Sequence, residues 1–143
     1  MQPHTPEQFP AAYAAAVLDQ NAAAFLALYT PDARVFDTWG VWMYEGTAAR
    51  QASIEAWLGS LGDERVQVRF ENVHTTTTAT LAVLTATCRY AAIGPDGREL
   101  RAMHNRLTWA LTCEAGQWRI AHEHTSAPIG FGDLRAILSR DAA

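Results

Sequence analysis

Apolar positions recur with helical spacing early in the chain and again over 48–58, then with a period of two from Val66 onward. Thr5-Pro6-Glu7-Gln8 reads as a helix start, with Thr as N-cap, Pro in the first turn and Gln at the capping-box position. Pro10 makes Phe9 an alternative start, and the helix should run to about Leu18 with Tyr13, Ala16 and Val17 on one face. After Asp19-Gln20-Asn21, a shorter helix is predicted over Ala22–Tyr29, ended by Thr30-Pro31-Asp32 because Pro cannot continue it. Arg34–Trp39 alternates as a strand with Val35, Asp37 and Trp39 on one face; Gly40 turns, and Val41–Tyr44 returns. Gly46-Thr47 opens a third helix, Ala48–Leu58, with Ile54, Trp57 and Leu58 inward. Val66, Val68 and Phe70 then alternate with charges, Thr78–Tyr90 is rich in strand formers, and Gly94-Pro95-Asp96-Gly97 is a turn. Glu99–Cys113 and Gln117–Ser126 complete an α-α-β-β-α-β-β-β-β order, which predicts an α+β fold with a curved antiparallel sheet.

The last hairpin can be registered. With Ala115-Gly116 as a two-residue turn, Glu114 faces Gln117, Leu111 faces Ile120, Trp109 faces His122, Leu107 faces His124 and Asn105 faces Ser126. Opposed residues share a face, so this face is apolar near the turn and polar away from it. A bulge would move the distal half to the other side. A cone that is dry at its base and polar at one end suits a small-molecule pocket, with Asn105 and Leu107 on its wall and Trp39 and Trp109 as aromatic walls.

Composition narrows the function. The chain has 143 residues, 49% hydrophobic and 18% charged, which is one ordinary globular domain. The net charge is −4, so neither nucleic acid nor an anionic membrane is an expected partner. All 11 basic residues are Arg, which rules out a Schiff-base or P-loop lysine. Cys88 and Cys113 lie far apart without finger spacing and read as buried reduced thiols. Met1-Gln2-Pro3-His4 lacks a basic leader and no apolar run is long enough to span a bilayer, so a cytoplasmic location is expected.

Leu28-Tyr29-Thr30-Pro31-Asp32-Ala33, Val35-Phe36-Asp37 and Tyr44-Glu45-Gly46 resemble segments of SnoaL-like and ketosteroid isomerase-like proteins. The order of elements over residues 5–128 is similar to that of the nuclear transport factor 2-like superfamily. The ending Gly116-Gln117-Trp118-Arg119-Ile120-Ala121-His122-Glu123-His124-Thr125-Ser126-Ala127-Pro128 resembles a G-x-W-x-I-x-H-x-H-x-S-x-P pattern of one SnoaL-like branch. That pattern is also similar to the association domain of calcium/calmodulin-dependent kinase II. The resemblance implies one cone-shaped domain over 1–143, with a core at 5–128 and a tail at 129–143, packed through its sheet as a homodimer.

It also implies roles. Asp37 matches the position of a general base, and flanking Val35 and Trp39 would desolvate its carboxylate toward a useful pKa. Tyr13 matches a first-helix tyrosine that donates to an oxyanion. The second acidic donor of the isomerases is missing, since Thr108-Trp109 stands at that place. His122 and His124, two apart on a strand, are candidate acid/base residues; no third ligand completes a metal site with Asp37. The expected function is binding of a small apolar, carbonyl-bearing or cyclic molecule, with proton transfer of the isomerase, cyclase or dehydratase type and no cofactor. The alternative is a non-catalytic ligand-binding or assembly module.

Overall fold

The computed structural model describes residues 2–140, so the last three residues of the expected tail lie outside the described ones. A 3-10 turn at Pro6–Gln8 leads into α1 (Phe9–Leu18) and α2 (Ala22–Leu26). The strands are β1 (Tyr29–Phe36), β2 (Tyr44–Glu45), β3 (Arg65–Thr77), β4 (Leu81–Ile93), β5 (Glu99–Glu114) and β6 (Gln117–Ser126), with α3 (Thr47–Gly59) between β2 and β3. Three helices pack on one six-stranded sheet of order β2-β1-β6-β5-β4-β3, an α+β cone-like fold. The sheet is mixed rather than wholly antiparallel, because β1 runs parallel to β6.

The N-terminal reading holds in kind. Thr5 and Gln8 form the capping box, and α1 starts at Phe9 with Pro10 in its first turn. The second helix is shorter than expected. It stops at Leu26, and Tyr29, Thr30 and Pro31 begin a strand instead of ending a helix. Proline is tolerated there because the β1–β6 register shifts between Tyr29 and Arg34, leaving that stretch out of the ladder. The expected partner strand over Val41–Tyr44 reduces to Tyr44–Glu45, and Asp37–Met43 forms a loop. Thr78 is not in β4 but closes the preceding turn, where its Oγ1 accepts the Leu81 amide at 3.1 Å.

Gly46 ties α3 to β1. Its φ is +86°, and a Cβ there would stand 3.1 Å from the Pro31 carbonyl oxygen. That close approach aims the Arg50, Ile54 and Leu58 face of α3 at the sheet. The core between helices and sheet holds Phe9, Val17, Phe25, Leu84, Leu107, Trp109, Leu111 and Ile120, all essentially without exposure.

The last hairpin follows the sequence reading only as far as Ile120. Leu111 faces Ile120, but Ala110 faces His122, so Ala121 is an extra residue. Beyond that bulge Trp109 faces Glu123, Thr108 faces His124 and Leu107 faces Thr125. The distal half of β6 is thereby turned over: Glu123 and Thr125 are buried, while His124 is exposed and His122 half-buried. The pairings Trp109–His122, Leu107–His124 and Asn105–Ser126 are therefore corrected. The physical reason is Glu123, whose carboxylate finds three donors on the inner face.

Candidate functional site

A cavity of about 640 Å³ opens between α1, α3, the β1–β2 loop and the β3–β6 half of the sheet. That volume suits a small organic molecule. Its walls are mostly apolar, with Ile54, Trp57, Val66 and Met103 among them. Polar groups converge from Tyr13, Asp37, Arg50, Tyr90, Asn105, Glu123 and Thr125.

Asp37 follows the last residue of β1, where the parallel register brings Val35 beside Glu123 and Phe36 beside His124. Alternation then points Asp37 inward, next to Thr125. The Thr125 hydroxyl reaches its Oδ1 at a long 3.4 Å and itself accepts the Thr38 amide and hydroxyl, each at 2.9 Å. Burial raises the Asp37 carboxyl above the usual aspartate range; the Arg50 cation works against this and the Glu123 charge adds to it. The Trp39 backbone N–H also donates to the carboxylate, yet burial prevails, and a half-buried carboxylate with a raised pKa is suited to accept a proton.

The raised pKa also predicts a stability effect. The folded state binds more protons than the unfolded chain as pH rises from about 4, the unfolded aspartate range, so ionising Asp37 destabilises the fold. Asp37→Asn should raise the melting temperature at pH 7, and the gain should vanish near pH 3. An equal gain at both pH values would contradict the assignment.

Glu123 forms the polar floor. It is fully buried, accepts the Tyr29 hydroxyl at 2.5 Å and the Trp109 Nε1–H at 2.9 Å on one oxygen, and pairs with Arg50 Nη1 at 3.0 Å on the other. Three donors engage its two oxygens, so it is not free to act as a base. Arg50 is also buried, and its guanidinium lies 5.5–5.9 Å from the ring centres of Phe25, Tyr29 and Tyr44. Burial works against its charge, but neighbouring Glu123 outweighs it and Arg50 remains a cation.

Tyr13 and Tyr90 share a hydrogen bond at 3.0 Å between their hydroxyls. Burial pushes both phenols up, so they stay neutral donors. Asn105 hydrogen-bonds Tyr90, while its Oδ1 has no partner.

Of the residues singled out in the sequence, Tyr13, Asp37, Trp39 and Asn105 line this cavity. Trp39 is 55% exposed and sits at the rim. Trp109 and Leu107 lie in the core behind the wall; Trp109 packs 5.7 Å from Tyr13 and 5.4 Å from Phe70, measured between ring centres. His122 and His124 are turned to the opposite face, where both rings pack against Phe36 and His122 Nδ1 meets the Arg34 carbonyl oxygen at 2.8 Å. Neither lines the cavity, and the expected acid/base part for them loses its geometric basis. Among the described residues no three His, Cys, Asp or Glu side chains come together as a metal site.

Arg50, Glu123 and Tyr90 were not anticipated. Arg50 sits one turn before Ile54 on the inward helix face, so its position was legible although its burial was not. Glu123 was hidden by the bulge, for which the sequence offers only the end of the apolar alternation at Ile120.

The fold and the family agree. A crystal structure of an NTF2-like protein of unknown function from Pseudomonas putida KT2440 superposes with a TM-score of 0.82 at 24% identity, over 93% of this chain and 91% of that one. The protein Aln2 from a Streptomyces species gives a TM-score of 0.75 at 16% identity, over 88% and 94%. An uncharacterized protein with a cystatin-like fold from Caulobacter vibrioides gives 0.67 at 24% identity, over 92% and 86%. At such identities the likeness shows the fold alone. No curated protein matches the chain. No described helix is long and apolar enough to cross a membrane. The sequence profile of the SnoaL-like domain matches residues 7–130, and the chain belongs to that family.

Proposed function

We propose that the cavity binds a small carbonyl-bearing or cyclic molecule and that Asp37 moves a proton on it, in the manner of an isomerase, cyclase or dehydratase. The observation that carries this reading is the Asp37 carboxylate itself, half-buried and raised in pKa on the wall of a mostly apolar cavity that also receives the Tyr13 hydroxyl. Asp37 is the base, and Tyr13 a neutral donor whose contact strengthens as the carbonyl oxygen gains charge. Trp39 at the rim and Asn105 on the wall contact the ligand. The residues need no cofactor for this chemistry. The test is deuterium incorporation from heavy water into small cyclic ketones and enones. Catalysed exchange is expected; its absence across the panel, with binding intact, would favour a non-catalytic binding module.

The outer sheet face is the proposed dimer surface. Arg106, Thr108, Ala110 and Thr112 of β5 alternate outward there, joined by His122 and His124. Small and polar side chains suit a flat sheet-to-sheet contact. Sedimentation should find a dimer; a monomer persisting at about 100 μM would refute it, since a standard interface binds more tightly.

A further inference from the structure

A guanidinium carries five N–H donors. Buried Arg50 uses its Nη1 on Glu123, and its Nε is buried with no partner at all. Among the described residues its Nη2 makes no hydrogen bond either. Nε and Nη2 form the side-on fork of the guanidinium; Nε is enclosed by protein, so Nη2 is the group that can meet a ligand oxygen. Glu123 holds the opposite end of the group, and the rings of Phe25, Tyr29 and Tyr44 surround it, so the fork cannot turn away. Arg50 lines the same cavity as Asp37, and the two charges act on each other. Tyr13, Tyr29, Asp37 and Glu123 are the titratable groups that act on it. A second arginine on the lining, Arg101, is exposed and held by Glu64 at 2.7 Å.

We propose that Nη2 of Arg50 is the oxyanion subsite of the cavity, receiving an enolate or phenolate oxygen of the ligand. This deepens the proton-transfer reading and rests on it. The Asp37 carboxylate takes a proton from the carbon beside the carbonyl. The C–H electron pair becomes the enolate C=C bond, the carbonyl π pair moves onto oxygen, and that negative charge meets Arg50. Return of the proton from Asp37 to carbon reverses each move and leaves both residues as they began. The site's anionic charge passes from Asp37 to the ligand oxygen, so no new net charge is created in a buried space. Arg50 thus stands in for the second acidic donor that the chain lacks. The ligands it selects are enolisable carbonyl compounds and acidic phenols.

The test uses 4-nitrophenol, whose phenolate absorbs in the visible, and 4-nitroanisole, which has the same ring and no ionisable oxygen. Titrated on the wild-type protein, bound 4-nitrophenol should ionise at least about one pH unit lower than free, a tenfold preference for the phenolate. Removing Arg50 alone would strand a buried carboxylate, so the variant is Arg50→Met with Glu123→Gln, which leaves the net charge of the site unchanged. It should abolish the shift while 4-nitroanisole still binds. Asp37→Asn, which removes a like charge, should enlarge the shift, so this result does not depend on Asp37 being the base. Binding of 4-nitroanisole with an unshifted phenol in wild type overturns the subsite and leaves the cavity reading standing. A shift that survives the double variant overturns it as well. Failure of both compounds to bind overturns the subsite together with the cavity reading.

Discussion

Glu123→Ala is expected to destabilise the protein by about 3–5 kcal/mol, the usual effect of breaking a buried ion pair from one side. The carboxylate is the partner of three donors on three different elements: Tyr29 at the start of β1, Arg50 on α3 and Trp109 on β5. Its loss leaves a buried guanidinium with no carboxylate, and a phenol and an indole N–H without acceptors. The melting temperature should fall by roughly 10 °C or more. Replacing Arg50 and Glu123 together by apolar side chains of similar volume should recover much of the loss, because no buried charge then remains unpaired. Urea titrations of the single and double variants measure both. A single variant within about 1 kcal/mol of wild type would mean that the network does not hold the cavity floor.

This network also marks the limit of what the sequence discloses. Helix starts, the glycine turns and the period-two strands are local signals, and they placed the elements. The capping box at Thr5 and Gln8 and the inward stripe of α3 lie where side-chain chemistry puts them. Tyr29 was misread because Ala22–Tyr29 is apolar enough for either a helix or a buried strand. Only its pairing with Ile120 and its bond to Glu123 decide for the strand, and both partners lie about ninety residues away in sequence. The histidines were misplaced by a single residue, Ala121. A period of two carries no memory of an inserted residue, so every position beyond it changes face. Asp37 and Tyr13 fared differently. Their inward placement depends on α1 and β1, whose registers lie upstream of the bulge.

The second large effect concerns Asp37. Asp37→Asn keeps the shape of the side chain and its contact with Thr125, and removes the basic oxygen. A positioned base contributes typically about 10²–10⁴-fold, and the variant should lose turnover by that factor. Ligand affinity should change little, because the amide still fills the same space and accepts the same hydroxyl. A binding module would show the reverse pattern, with no turnover to lose and only affinity to alter. Tyr13 cannot supply the missing base, since burial holds its phenol protonated, and Glu123 is saturated by donors.

The central claim is that Asp37 is the proton acceptor of this cavity, and one comparison tests it most directly: the rate of α-deuterium incorporation into a ketone that binds wild type and Asp37→Asn alike. Proton transfer through Asp37 predicts exchange by wild type that falls about 10²-fold or more in the variant at equal occupancy. Exchange at the same rate in both proteins would contradict it.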